Sequence, residues 1–144
     1  MPAAGTWAFD VDGTVIGSIR SDRLRPGATE LFDALAARGV TCVLWSAGGG
    51  EYADRKAREH GIRHLVAACY PKDRRDVDGR YVIDHFLPSH RPDVFVDDVP
   101  GDLPSGASVV AVSQFFGGNS ADGALVRVLD GLDQHLAASV AAAT

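Results

Sequence analysis

Cysteine is scarce in this chain and lysine equally so. The two cysteines, Cys42 and Cys69, stand far apart and form no CxxC, and Cys42 lies inside an apolar run, so it reads as a buried thiol rather than a ligand. Positive charge is short as well: the formal net charge is −5. Arg74-Arg75, the one basic doublet in a loop-like stretch, is answered at once by Asp76 and Asp78, so nothing suggests a nucleic-acid-binding face. No apolar run is long enough to span a membrane. The opening Met1–Gly5 has neither a basic n-region nor an apolar h-region, and a cytoplasmic, reduced protein is the expectation. Internal repeats and linkers are missing too, so residues 1–144 are expected to form a single domain, long enough for one core.

What is present is an alternation of strand-like and helix-like segments. Trp7 to Asp10 is an apolar run that ends in aspartate, the pattern of a buried parallel strand. Val15 to Leu24 is a short flap. Pro26-Gly27 opens a helix over Ala28–Ala37, with Leu31 and Leu35 facing the core and Gly39 closing it. Thr41–Trp45 predicts a second strand, followed by the tight turn Ser46–Gly50 and a helix from Glu51 to His60, closed by Gly61. Leu65–Ala68 predicts a third strand. Asp78-Gly79 is a hairpin turn inside an irregular stretch, Tyr70–Asp93. Val94–Val96 predicts a fourth strand and Ser108–Val112 a fifth. A final helix over Ala121–Leu136 carries Leu125, Val128, Leu129, Leu132 and Leu136 on one face, before an alanine-rich tail expected to fray. The fold class is therefore α/β: an open, mostly parallel, Rossmann-like sheet of about five strands flanked by helices.

In such a sheet, ligands bind outside the carboxyl ends of the strands. Four polar features fall there: Asp10-x-Asp12 after strand one, Ser46 after strand two, Lys72 past strand three, and Asp97-Asp98 after strand four. This set suits phosphoryl transfer to a carboxylate. Asp10 would be the nucleophile. Attack by an anion on a phosphate needs a hard divalent cation, and Mg²⁺ prefers oxygen ligands. Asp10, a strand-four aspartate and the backbone carbonyl of Asp12 could supply them. Asp12, beside the leaving group, could protonate it and later deprotonate the attacking water. The Ser46 hydroxyl and the N–H groups of Ala47 and Gly48, ahead of the next helix, could hold phosphoryl oxygens. Lys72 would set a positive charge on Asp10 and the phosphate.

The chain resembles the haloacid dehalogenase (HAD) superfamily in its phosphatase branch. The landmarks are Phe9-Asp10-Val11-Asp12-Gly13-Thr14-Val15, then Leu44-Trp45-Ser46-Ala47-Gly48, then Lys72, then Val94-Phe95-Val96-Asp97-Asp98. The resemblance implies a Mg²⁺-dependent phosphohydrolase working through an aspartyl phosphate on Asp10, with Asp12 as acid/base. It implies Asp98 as the strand-four metal ligand, with Asp97 as helper or alternative. Lys72 follows Pro71, where many members have the reverse order, and Asp102 follows Asp98 at a spacing some members use. Family members usually carry a cap domain. Here neither Val15–Leu24 nor Tyr70–Asp93 is long enough for a large one, so a capless, open site is implied, of the kind that serves large substrates or borrows a lid from a neighbouring copy. The partner is then a phosphorylated substrate, small or macromolecular.

Competing readings are weaker. Asp10-Val11-Asp12-Gly13 could open an EF-hand loop, but Ser21 stands where a bidentate glutamate is needed. The second Asp-Val-Asp-Gly, Asp76–Gly79, follows Arg74-Arg75 rather than a strand and reads as a turn. His64, His85, His90 and His135 show no metal-ligand spacing, and His60, near a helix end, reads as a capping or surface residue. A phosphoryl-accepting signalling module would use a similar residue set in a different order, without an acid/base such as Asp12. A non-catalytic scaffold of the same fold would not need every one of these groups.

Overall fold

The computed structural model describes residues 5–143, without the side chains of residues 140–143. Most of the opening segment on which the expectation of no leader rests lies outside the described residues. Five strands form one parallel sheet: β1 (Thr6–Asp10), β2 (Thr41–Ser46), β3 (Ala68–Pro71), β4 (Val94–Asp97) and β5 (Ser108–Ala111). Their spatial order is β3-β2-β1-β4-β5. β1 is central, buried along its whole length, and flanked by β2 and β4. The chain order reverses direction between β1 and β4, which opens a crevice at the carboxyl ends of these two strands.

Four helices accompany the sheet: α1 (Ala28–Ala37), α2 (Gly50–Glu59), α3 (Ala124–Asp130) and α4 (Leu132–Ala143). α1 occupies the span its Pro-Gly start and leucine spacing predict. Gly39, at φ 76°, takes the left-handed position that ends it, with its N–H and that of Val40 returning to Ala36 and Leu35. α1, α2 and α3 pack on one face, where Phe9, Leu31, Phe32, Leu35, Leu44, Val96 and Leu125 form the main core. Phe9 meets Phe32 edge-on at 4.7 Å. Each such side chain contributes about 1.5–3 kcal/mol by leaving water.

The opposite face is covered by irregular chain. Tyr81, Ile83 and Phe86, from the stretch between β3 and β4, close over Ala8, Val43, Trp45 and Phe95. That stretch therefore packs down on the sheet instead of rising over the strand ends. Its hairpin at Asp78-Gly79 is real but minimal, one bridge pairing Arg75 with Tyr81.

Three expectations need correction. Leu65–Ala68 is not the third strand. Arg63–Leu65 is a 3₁₀ turn, Ile62 and Val66 are buried in the main core, and pairing with β2 begins only at Ala68 opposite Val43. The apolar run is spent capping α2, with the Ile62 N–H bonded to the Ala57 carbonyl. The single last helix is two, divided at Gly131, whose poor helix propensity makes it the weak point of the run. The alanine tail after Leu136 is helical. α4 continues to Ala143, as the residue with the highest helix propensity allows.

Candidate active site

The parallel register carries the polar strand ends to one rim. β1 stops at Asp10, β4 at Asp97 and β2 at Ser46. The shift of β3 puts Lys72 immediately after its last residue, with the Lys72 N–H bonded to the Ser46 carbonyl at 2.8 Å. From there the Lys72 side chain runs under the rim. Its Nζ donates to Asp10 Oδ1 at 2.8 Å and to Asp97 Oδ2 at 3.0 Å. The ammonium also lies 4.8 Å from the ring centroid of Trp45 and 5.6 Å from that of Tyr81. Two aromatic faces thus help hold a charge that burial disfavours.

Asp98 joins from the turn after β4. Thr14, fully buried, donates its hydroxyl between Asp10 Oδ2 at 3.1 Å and Asp98 Oδ1 at 3.2 Å. One carboxylate oxygen from each of Asp10, Asp97 and Asp98 lies within 4.8 Å of the other two. Gly13, at φ 85°, is needed for this approach. A Cβ there would stand 2.4 Å from Asp98 Oδ2.

The electrostatics are lopsided. Burial pushes the Asp10 carboxyl up to about 8, over the opposing pull of Lys72 and with Asp97 adding to the rise. Asp97 is raised for the same first reason, although Lys72 and the Val99 N–H favour its anion. Burial would lower the Lys72 ammonium, but Asp10 and Asp97 together hold it above its ordinary value. One ammonium faces three carboxylates, so the cluster has a surplus of negative charge that a second cation would cancel. Hard carboxylate oxygens at this spacing fit Mg²⁺.

Ser46 and Asp12 sit on the other side of Asp10. The Ser46 Oγ accepts the N–H of Gly48 at 3.0 Å in a local turn, so that amide is engaged within the protein and the hydroxyl proton is left to donate. Asp12 does not join the carboxylate cluster. Its Oδ1 accepts the phenol of Tyr52 at 2.7 Å.

Other polar residues are accounted for elsewhere. Asp102, spaced after Asp98 as a possible supporting acid, pairs instead with Arg75 at 3.1 Å. Arg75 also lies 4.0 Å over the Tyr81 ring, and Arg80 donates to the Leu103 carbonyl. His85 meets the Pro71 carbonyl and His90 the Tyr70 hydroxyl, both on the loop-covered face. A cavity bordered by Ile83, Phe95, Pro104 and Ser139 opens on that face, away from the carboxylates.

Three residues had no assigned role from sequence. Thr14 was visible within the aspartate motif, where a hydroxyl four residues after a carboxylate can turn back to it. Tyr52 and Arg25 had no signal. Each acts on a residue far along the chain.

No family model matches the chain, and no curated protein matches it. Among solved structures, the chain is similar to an uncharacterized protein from Listeria monocytogenes serotype 4b, at 13% identity and TM-score 0.65, over 91% of this chain and 98% of that one. A conserved protein from Bacteroides thetaiotaomicron matches at 29% identity and TM-score 0.45, over 71% of this chain and 83% of that one. A 3-deoxy-D-manno-octulosonate 8-phosphate phosphatase from Moraxella catarrhalis, solved with magnesium, phosphate and KDO, matches at 13% identity and TM-score 0.48, over 98% and 94%. The Listeria protein shares the fold, and the two looser matches bear on neither substrate nor chemistry.

Proposed function

We propose that the chain is a Mg²⁺-dependent phosphohydrolase of HAD type, acting on a phosphomonoester. The observation that carries this reading is the rim cluster, in which the buried Asp10 and Asp97 share a single ammonium from Lys72 and Asp98 stands close beside them. Asp10 and Asp98, with Asp97 beside them, would hold the ion. When bound it would offset the charge of both nucleophile and phosphate.

The chain's own residues supply the rest. An Asp10 oxygen attacks phosphorus, the phosphorus–oxygen bond to the leaving group breaks, and Asp12 gives that oxygen its proton. Asp12 then takes a proton from water, the water oxygen attacks the aspartyl phosphate, and Asp10 is released as a carboxylate with inorganic phosphate. Lys72 and the Ser46 hydroxyl meet the charge that builds on the phosphoryl oxygens. Among the described residues the stretch between β3 and β4 packs on the sheet face and forms no cap domain, so the substrate would be a phosphorylated molecule whose size the protein does little to restrict.

The test is release of inorganic phosphate from p-nitrophenyl phosphate by purified protein with Mg²⁺. Release that disappears in Asp10→Asn supports the reading. No release from a broad phosphate panel overturns it, and a stable phosphoprotein without turnover would instead mark a signalling module.

A further inference from the structure

The Tyr52–Asp12 contact has no part in the reading above, yet it is the one side-chain hydrogen bond that Asp12 makes among the described residues. Tyr52 is the third residue of α2, directly after the Ser46–Gly49 turn. Its ring is seated rather than free. A Cβ on Gly48 would lie 2.8–3.3 Å from ring atoms Cδ2, Cγ and Cε2, so the bare backbone of Gly48 forms the floor under the ring. Arg55 stands 5.4 Å and Lys56 5.9 Å from the ring centroid. Lys56 is held in turn by Asp22 of the flap at 2.9 Å and Glu59 at 3.1 Å. The phenol is pushed up to about 12, by burial first and by Asp12 next, so it stays a donor across the working range.

An acid/base carboxylate has two oxygens, and only one can face the leaving group. A fixed phenol donating to Oδ1 stops the carboxyl group from turning and leaves Oδ2 as the site of the mobile proton. Resting on the phosphohydrolase reading, we infer that Tyr52 is a positioning residue that dedicates Oδ2 of Asp12 to proton transfer with the leaving-group oxygen. It touches no substrate atom in this role and acts through Asp12. A second consequence is that Gly48 serves the acid/base, because any side chain there displaces the Tyr52 ring.

The experiment compares kcat/KM for a series of phosphomonoesters, from p-nitrophenyl phosphate to alkyl phosphates, in wild type, Tyr52→Phe and Asp12→Asn. A nitrophenolate leaves without a proton, whereas an alkoxide needs one, so loss of the acid steepens the dependence on leaving-group basicity. General acid catalysis supplies about 10²–10⁴-fold, and Tyr52→Phe is expected to lose roughly 10-fold more on alkyl than on nitrophenyl phosphate. Asp12→Asn shows the same steepening in stronger form. The slope is a ratio of rates and does not depend on how much of the variant is folded. Tyr52→His, which keeps a ring donor, is expected to recover part of the slope. Equal losses on every ester, or none, overturn the inference while leaving the phosphohydrolase reading standing. A wild type with no Asp10-dependent release overturns both.

Discussion

Two cations are buried in this fold, and they are balanced in opposite ways. Arg25 has a fully buried side chain and one carboxylate partner, Asp122, which it grips with Nε at 2.7 Å and Nη2 at 3.1 Å. Its remaining donors go to carbonyls of Gly13, Thr14 and Ser113, and the guanidinium lies 5.3 Å from the Phe115 ring centroid. Burial would raise the Asp122 carboxyl, but Arg25 and the Ala124 N–H hold it below its ordinary range. Lys72 is buried too, though less completely, and it faces two direct carboxylates and a third nearby. The first cluster is closed, with one charge of each sign and its guanidinium donors engaged. The second is open, and Asp10 and Asp97 in it are driven up, not down. Burial alone therefore does not single out the candidate site; what distinguishes the Lys72 cluster is its excess of carboxylates over cations.

The closed cluster should give the largest effect. Arg25 ties the turn after β1 to the segment after β5, and Arg25→Ala would strand Asp122 and release three carbonyls. Breaking a buried pair this way costs about 3–5 kcal/mol. For a chain of this size the midpoint of thermal unfolding is expected to fall by roughly 10–20 °C, read by circular dichroism. A fall of only a degree or two would mean that Arg25 is no more a structural pin than a surface ion pair.

The open cluster should respond to an ion instead. Mg²⁺ at about 100 times its dissociation constant is expected to stabilise the wild type by about 2.7 kcal/mol, since the unfolded chain offers no gathered site. Asp98→Asn should weaken this response and leave metal-free stability nearly unchanged, because it removes one of the surplus charges. The measurement is a Mg²⁺ titration of the unfolding midpoint. An equal response in Asp98→Asn would remove that residue from the ion site.

The two clusters also differ in how far they could be read from the chain itself. Asp10-x-Asp12 and Asp97-Asp98 end apolar runs, and a parallel sheet must bring such ends to one edge, so the open cluster was legible in outline. Lys72 is less legible, because a single lysine 62 residues from its partner is placed by β3, and β3 begins later than its apolar run suggests. The run Ile62–Val66 has strand-like residues, yet closure of α2 claimed it first. Arg25 was invisible, since nothing local to Leu24-Arg25-Pro26 shows a carboxylate 97 residues away. Tyr52 reads as one more amphipathic helix residue until the turn before it is built. Periodicity reports which face a residue takes. It does not report which distant polar atom waits there.

The smallest effect is a matter of sign. In metal-free protein, Asp10 binds its proton more tightly when folded, with a value of about 8 against 3.8 for the ordinary carboxyl. Between these values the folded state holds more protons than the unfolded one, so stability must fall as pH rises. One such group gives a slope of at most about 1.4 kcal/mol per pH unit. Asp97, also raised, acts in the same direction, while Lys72 is held above its ordinary range and changes nothing in this window. Urea unfolding between about pH 5 and 8 should therefore show a declining midpoint without metal. Asp10→Asn, which is neutral throughout, should flatten part of that decline. With saturating Mg²⁺ the sign should reverse, because protons then compete with the ion for the same oxygens. The Arg25–Asp122 cluster predicts neither behaviour. Asp122 is already an anion across this range, so a pH slope that survives Asp10→Asn and ignores Mg²⁺ would mean that the surplus charge lies somewhere other than the rim of β1 and β4.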